Sequence, residues 1–223
     1  MRRILFLVIF GLTGVAVLVA LGNWQVRRLA WKEGVLAEIE SRIAADPVAL
    51  PASFTPDVDR YMPVAVSGTF LPGELLVLVS RKRVGPGYLV IAPFETDDGR
   101  RILVDRGFIR TEAAGTARAL GRAEITGNLH WPRETDGYTP EPDGQVWFAR
   151  EVPDMAAALD TEDVLLVAAS QTDPGVTPLR VDTAGIPNDH LGYAITWYSL
   201  AAIWAAMTGF FLWRTRAASQ AET

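Results

Sequence analysis

Two stretches of this chain carry no charged residue: Ile4 to Gly22, nineteen residues, and Leu191 to Trp213, twenty-three. As helices rising about 1.5 Å per residue they would be roughly 28 to 35 Å long, close to a bilayer core of about 30 Å. They predict transmembrane helices over residues 4–22 and 190–213. Behind the first, QVRRLAWKEGVLAEIESRIAAD keeps Leu29, Val35 or Leu36, Ile39 and Ile43 at helical spacing, six or seven and then three or four apart, with charges between them. That period predicts a helical extension over 23–46, ended by Pro47 and Pro51.

From Tyr61 the period changes. PVAVSGTF alternates, and LLVLVS, YLVIAPF and ILVDRGFI are short apolar runs of the buried-strand kind. Asp98-Gly99 between the last two predicts a hairpin turn. Gly85-Pro86-Gly87 reads as a loop. Further strands are expected over 123–129, in GQVWFAR and in VLLVAAS, with a short helix over 153–159 and a polar loop from Pro132 to Asp143. Six or seven strands without a βαβ rhythm favour a compact sheet or small barrel. The predicted fold is membrane-anchored α+β. Two transmembrane helices flank a mainly antiparallel β-sheet or small-barrel domain, residues 23–189, with one or two helices.

A secretory signal is the competing reading of the first run, given Met1-Arg2-Arg3 and the small residues near Gly22. The run exceeds a signal core of about 7 to 15 residues, and Trp24 suits an interfacial anchor, so the helix is expected to be retained. Arg2 and Arg3 before it, with Arg214 and Arg216 after the second helix, place both termini in the cytoplasm; Arg27, Arg28 and Lys32 pull the other way. Residues 23–189 hold 17 basic and 25 acidic side chains, a net of −8. Such a domain is not built for nucleic acid or anionic lipid. The expected location is a bacterial inner membrane, multi-pass, with the central domain periplasmic.

Catalytic chemistry has little to stand on. There is no cysteine, which removes thiol catalysis, thiolate metal sites and covalent haem attachment. His130 and His190 are the only histidines, and no metalloprotease, P-loop, EF-hand or nucleophile-elbow spacing occurs. Asp57 with Asp59, and Asp97 with Asp98, read as turn residues. Arg81-Lys82-Arg83 reads as a charged strand end that discourages edge pairing, with a docking patch as the alternative. The chain is expected not to be an enzyme.

The second apolar run is different. On a helix, His190, Ala194, Trp197, Ala201, Trp204 and Thr208 fall within about 40° of one line. A nitrogen donor stands at the wet end, with rings about 10 Å and about 21 Å deeper, below the headgroup level where aromatic belts sit. These rings face either another helix or a bound apolar ligand. The ligand version would be a haem, whose iron accepts imidazole and whose propionates prefer water and arginine. On the first helix Trp24, Arg28 and Trp31 are spaced i, i+4, i+7, placing a cation between two rings near the same surface. Plain helix packing, with His190 at a helix start beside Asp189, explains the same pattern.

Several segments then resemble, in order, the Surfeit locus protein family: GNWQVRRLAWKEGVLAEIE, YMPVAVSGTF, GYLVIAPF, ILVDRGFI and, most closely, NDHLGYAITWYSLA. The resemblance spans Leu21 to Met207. It implies a factor for assembly of cytochrome c oxidase that binds haem a reversibly and aids its insertion into subunit I, with a cofactor-free scaffold for subunit I as the alternative. It implies His190 as axial ligand of the haem iron, with Tyr193, Trp197 and Tyr198 at matching places; Trp24, Arg28 and Trp31 would complete the site. Expected partners are subunit I, the haem a synthesis machinery and membrane lipid. Asp105 and Phe108 depart from the family's pattern, where Asn and Trp are common.

Overall fold

The computed structural model describes residues 2–81 and 84–221. The chain divides into two compact units, Met1–Glu38 with Ala184–Thr223, and Ile39–Thr183. Helix α1 spans Arg2–Ile43 and stops short of residue 46. The approach of Pro47, which disfavours helical geometry in the residue before it, explains the stop. One of the carbonyls left over at that end, Ile43 O, accepts a hydrogen bond from Asn128 Nδ2 at 3.1 Å.

The second unit is a small barrel. Strand β1 is Val48–Ala49, a four-residue helix α2 is Pro56–Asp59, and β2 is Pro63–Phe70. They are followed by β3 Leu75–Arg81, β4 Gly85–Thr96, β5 Arg101–Arg110 and β6 Gly121–His130. Then come β7 Val146–Trp147, helix α3 Val152–Leu159 and β8 Leu165–Ala168. Helix α4, His190–Ala221, belongs to the first unit. Strands β2, β6, β8, β5 and β4 pair successively, and β4 returns to β2 to close the ring; β3 and β7 extend it from β4. Pairing is mainly antiparallel, with parallel contacts at β1–β2, β3–β7 and β5–β8. Closure happens at Gly68, Thr69 and Phe70 opposite Thr96, Glu95 and Phe94. It requires glycine: a Cβ on Gly68 would stand 2.2 Å from Glu95 O.

Inside the ring Phe70 and Phe94 meet edge to face at 4.9 Å, packed with Ile102, Ile125, Leu129 and Leu166. Helix α3 adds Val152, Met155 and Ala156, the i, i+3, i+4 face of an amphipathic helix. The two apolar termini thus flank, in sequence, a mixed barrel and sheet with a couple of helices.

Two expectations need correction. Gly85-Pro86-Gly87 is not a loop but the start of β4, paired to Arg81, Ser80 and Val79. Gly87 is there because a Cβ would press to 2.4 Å from the Phe108 ring, and Pro86 is tolerated near the strand's end. GQVWFAR forms only the two-residue β7, since the backbone turns at Phe148 and Arg150 aims its guanidinium at Glu134 and Asp105. Of the basic run, Lys82 and Arg83 lie outside the described residues; Arg81 closes the β3–β4 hairpin, 5.6 Å from the Phe108 ring. The Asp98-Gly99 turn is present, with Gly99 at φ 83°.

Buried charge is concentrated in the barrel wall. Asp105 is 1% exposed. Its carboxylate accepts from Gly107 N at 3.0 Å, and Arg150 stands 3.4 Å away, closer to Glu134 at 2.5 Å. Burial, only partly offset by Arg150, raises Asp105 from its ordinary 3.8 to about 6. His130 stacks on Tyr61 at 5.6 Å, and its Nδ1 finds no hydrogen-bond partner among the described residues. Burial, then Arg150 and Arg60, lower it from 6.5 to about 4.

The two shifts act oppositely on stability. Between about pH 4 and 6 folded Asp105 holds a proton that the unfolded chain has lost, so its contribution falls as pH rises. Over a similar window unfolded His130 holds a proton that the folded ring lacks, so its contribution rises with pH. In Asp105→Asn only the histidine effect remains. Thermal melts in detergent should show the variant's midpoint climbing from pH 4 to 6.5 more steeply than the native protein's. Parallel profiles would contradict the opposition.

Candidate functional site

Helices α1 and α4 of the first unit are each long and apolar enough to cross a membrane. They pair antiparallel: Gln25 meets His190, Gly22 meets Tyr198, Gly14 meets Trp204 and Gly11 meets Thr208. On α4 the stripe His190, Ala194, Trp197, Ala201, Trp204, Thr208 rises in alternating steps of four and three, and its His190, Trp204 and Thr208 meet α1. Ala194 and Ala201 are buried. Such spacing is that of a left-handed helix pair. On α1 the opposing positions are glycines, over which large rings lie. A Cβ on Gly14 would sit 2.3 Å from Trp204 Nε1, and one on Gly22 2.6 Å from the Tyr198 ring.

The polar groups of the seam, His190 Nε2 excepted, find partners on the other helix or on their own backbone. Trp204 Nε1 donates to Gly11 O at 3.2 Å, and Thr208 Oγ1 donates to Trp204 O at 2.8 Å. Tyr198 OH donates to Asn23 Oδ1 at 2.8 Å. His190 Nδ1 lies 2.8 Å from Gln25 Oε1, and Gln25 is 8% exposed. With no water in hydrocarbon, these groups have only each other. Between the helices, beside Gly14 and Trp204, runs an apolar groove of about 480 Å³ walled by Phe10, Val17, Leu200 and Met207.

Of the two options for the deep rings, Trp204 faces the other helix. Tyr198 also turns to α1 and spends its hydroxyl there. The remaining predicted residues are more open. Trp197 is half-buried and Tyr193 is 57% exposed on the flank of His190. His190 opens α4, and the carbonyl of Asp189 accepts from Tyr193 N at 3.2 Å in the first turn. On α1, Arg28 stacks its guanidinium 4.3 Å over Trp31, while Trp24 and Trp31 are exposed.

These residues suit a haem in chemistry. One imidazole nitrogen, Nε2, has no hydrogen-bond partner among the described residues. Tyr193 and Trp197 follow His190 along α4 by three and seven residues, and Arg28 forms no ion pair among the described residues. Sequence reasoning missed Gln25, Asn23 and the row Gly11, Gly14, Gly22. The available signal was two amides flanking Trp24 at the membrane edge, at the depth of the histidine.

The SURF1 family model matches residues 12–202, which include the barrel, His190 and most of the paired helices, with Trp204 and Thr208 just beyond. Surfeit locus protein 1 of Rattus norvegicus is 32% identical over 208 residues, 82% of this chain and 68% of its own length. The SURF1-like protein of Rickettsia felis is 30% identical over 83% of this chain and 87% of its own. The cytochrome oxidase assembly protein SHY1 of Saccharomyces cerevisiae is 33% identical over 61% of this chain and 39% of its own.

The glycine row gives a matched pair of substitutions. Gly22→Leu drives a side chain into the Tyr198 ring and should destabilise the protein in detergent by about 1–3 kcal/mol, with loss of the Asn23 contact. Gly34→Ala, with nothing within 4 Å of its added Cβ, should stabilise by about 0.5–1 kcal/mol. Equal effects in a denaturation series would refute the packing account.

Proposed function

This chain belongs to the SURF1 family, and on that premise we propose that it is an inner-membrane assembly factor for cytochrome c oxidase. It binds haem a reversibly and aids its insertion into subunit I. The haem is cargo, bringing an iron and a flat apolar macrocycle; the chain holds it, orients it and lets it go. The carrying observation is His190: an imidazole at the head of α4 whose Nε2 has no hydrogen-bond partner among the described residues. Tyr193 and Trp197 offer apolar faces on the same side of α4, and Arg28 meets the propionates. Without a covalent tether, release into a tighter site on subunit I is a downhill step.

In this reading the two helices lie in a bacterial inner membrane, with both termini cytoplasmic and the barrel domain periplasmic. Subunit I is the receiver, and the haem a synthesis machinery is the supplier. No catalytic turnover is assigned to the chain. A second reading, a scaffold that steadies nascent subunit I without cargo, is favoured by one observation: Trp204 and Tyr198 pack on α1, so much of the aromatic stripe is not available to a ligand.

Purification from cells that make haem a separates them. His190→Ala should lose most of the bound pigment in its absorption spectrum, at least tenfold. Arg28→Ala should weaken retention by at most about fivefold, as an exposed ion pair is worth up to about 1 kcal/mol. Pigment equal to wild type in the His190 variant rejects His190 as the haem ligand. Cross-linking to subunit I with no pigment in any form favours the scaffold.

A further inference from the structure

We propose that Gln25 is the positioning residue of this site: its side-chain oxygen takes the Nδ1 proton of His190 and so presents Nε2 as the single ligating atom. The inference rests on the reading of His190 as axial ligand and names the group that acts through it.

A carboxamide oxygen only accepts hydrogen bonds. Oε1 faces Nδ1 at 2.8 Å, so Nδ1 carries the proton. A neutral imidazole has one N–H, and the lone pair therefore sits on Nε2. The opposite tautomer would put a proton where the iron must go. Gln25 is held to this task by its surroundings. It is buried in the seam, whereas its neighbours Trp24 and Val26 are exposed. Gly22, three residues before it, is pinned under Tyr198. The restraint matters because His190 is the first residue of α4, with no preceding helical turn against which its ring could pack.

The choice of an amide also has chemical meaning. A carboxylate in its place would pull the Nδ1 proton harder, make the ring more imidazolate-like and strengthen the iron bond. A neutral acceptor orients the ring while leaving the bond weak enough to surrender cargo.

The test uses the full chain in detergent with haem a. His190→Gly leaves a ring-sized gap beside Gln25, to be filled with free imidazole or 1-methylimidazole. Imidazole can donate to Oε1 while it binds iron; 1-methylimidazole cannot. With Gln25 present, imidazole should support haem binding about three- to tenfold better relative to 1-methylimidazole than it does when Gln25→Leu is added. The same ratio in both backgrounds overturns the inference and leaves the ligand reading intact. Haem bound by His190→Gly without any added base overturns both. Gln25→Glu in the native chain gives a second readout independent of the gap. It should slow haem loss to a haem-scavenging globin and lower the reduction midpoint, and an unchanged spectrum, midpoint and release rate would overturn the inference again.

Discussion

A polar side chain in hydrocarbon has no water to turn to, and this one constraint organises the paired helices. Indole, hydroxyl, amide and imidazole each need a partner, and the nearest partners lie across the seam or one helical turn away. Trp204 therefore reaches the Gly11 carbonyl, Tyr198 reaches Asn23, and Gln25 faces His190. Since these contacts are directional, they fix the antiparallel register as well as hold it. Small residues opposite large rings do the rest: glycines on α1 admit Trp204 and Tyr198, and Ala194 and Ala201 let the seam close. The His190 site is the end of this ladder, where an unused ring nitrogen first emerges.

The barrel unit meets the same problem with different means. Its wall carries ionisable groups that water cannot reach. Arg106 is almost wholly enclosed, lying 4.1 Å over the Phe70 ring and donating to Thr172 at 3.1 Å. Asp105 shares Arg150 with Glu134 and gets the longer contact. Such groups are costly singly and tolerable when every member is bonded. Arg106 ties β5 to the segment after β8, and Asp105 ties it through Arg150 to the stretch between β6 and α3.

Much of this was legible in the chain. Two charge-free runs of bilayer length, a change of period at Tyr61 and the Asp98-Gly99 turn are local patterns, and local patterns survive into the fold. The stripe on α4 was legible as geometry but not as purpose, because a row of small and aromatic positions looks the same against a helix and against a ligand. Ring closure was not legible. It depends on Gly68, Thr69 and Phe70 meeting Thr96, Glu95 and Phe94, a pairing between β2 and β4 that no short window of sequence contains. Gly85-Pro86-Gly87 misled for the same reason: turn-forming composition was there to clear space for Phe108. Gln25 escaped because a lone amide has no period, and its meaning appears only when α4 is laid beside it.

The place of β8 in the barrel also constrains how the protein can be made. It is the last strand in the chain, yet it lies in the ring between β5 and β6. Everything translated before Leu165 must therefore wait as an open sheet, with the edges of β5 and β6 unsatisfied. The barrel closes only when synthesis has nearly reached His190. Folding of this unit thus falls late, in the short interval before the second apolar helix leaves the ribosome.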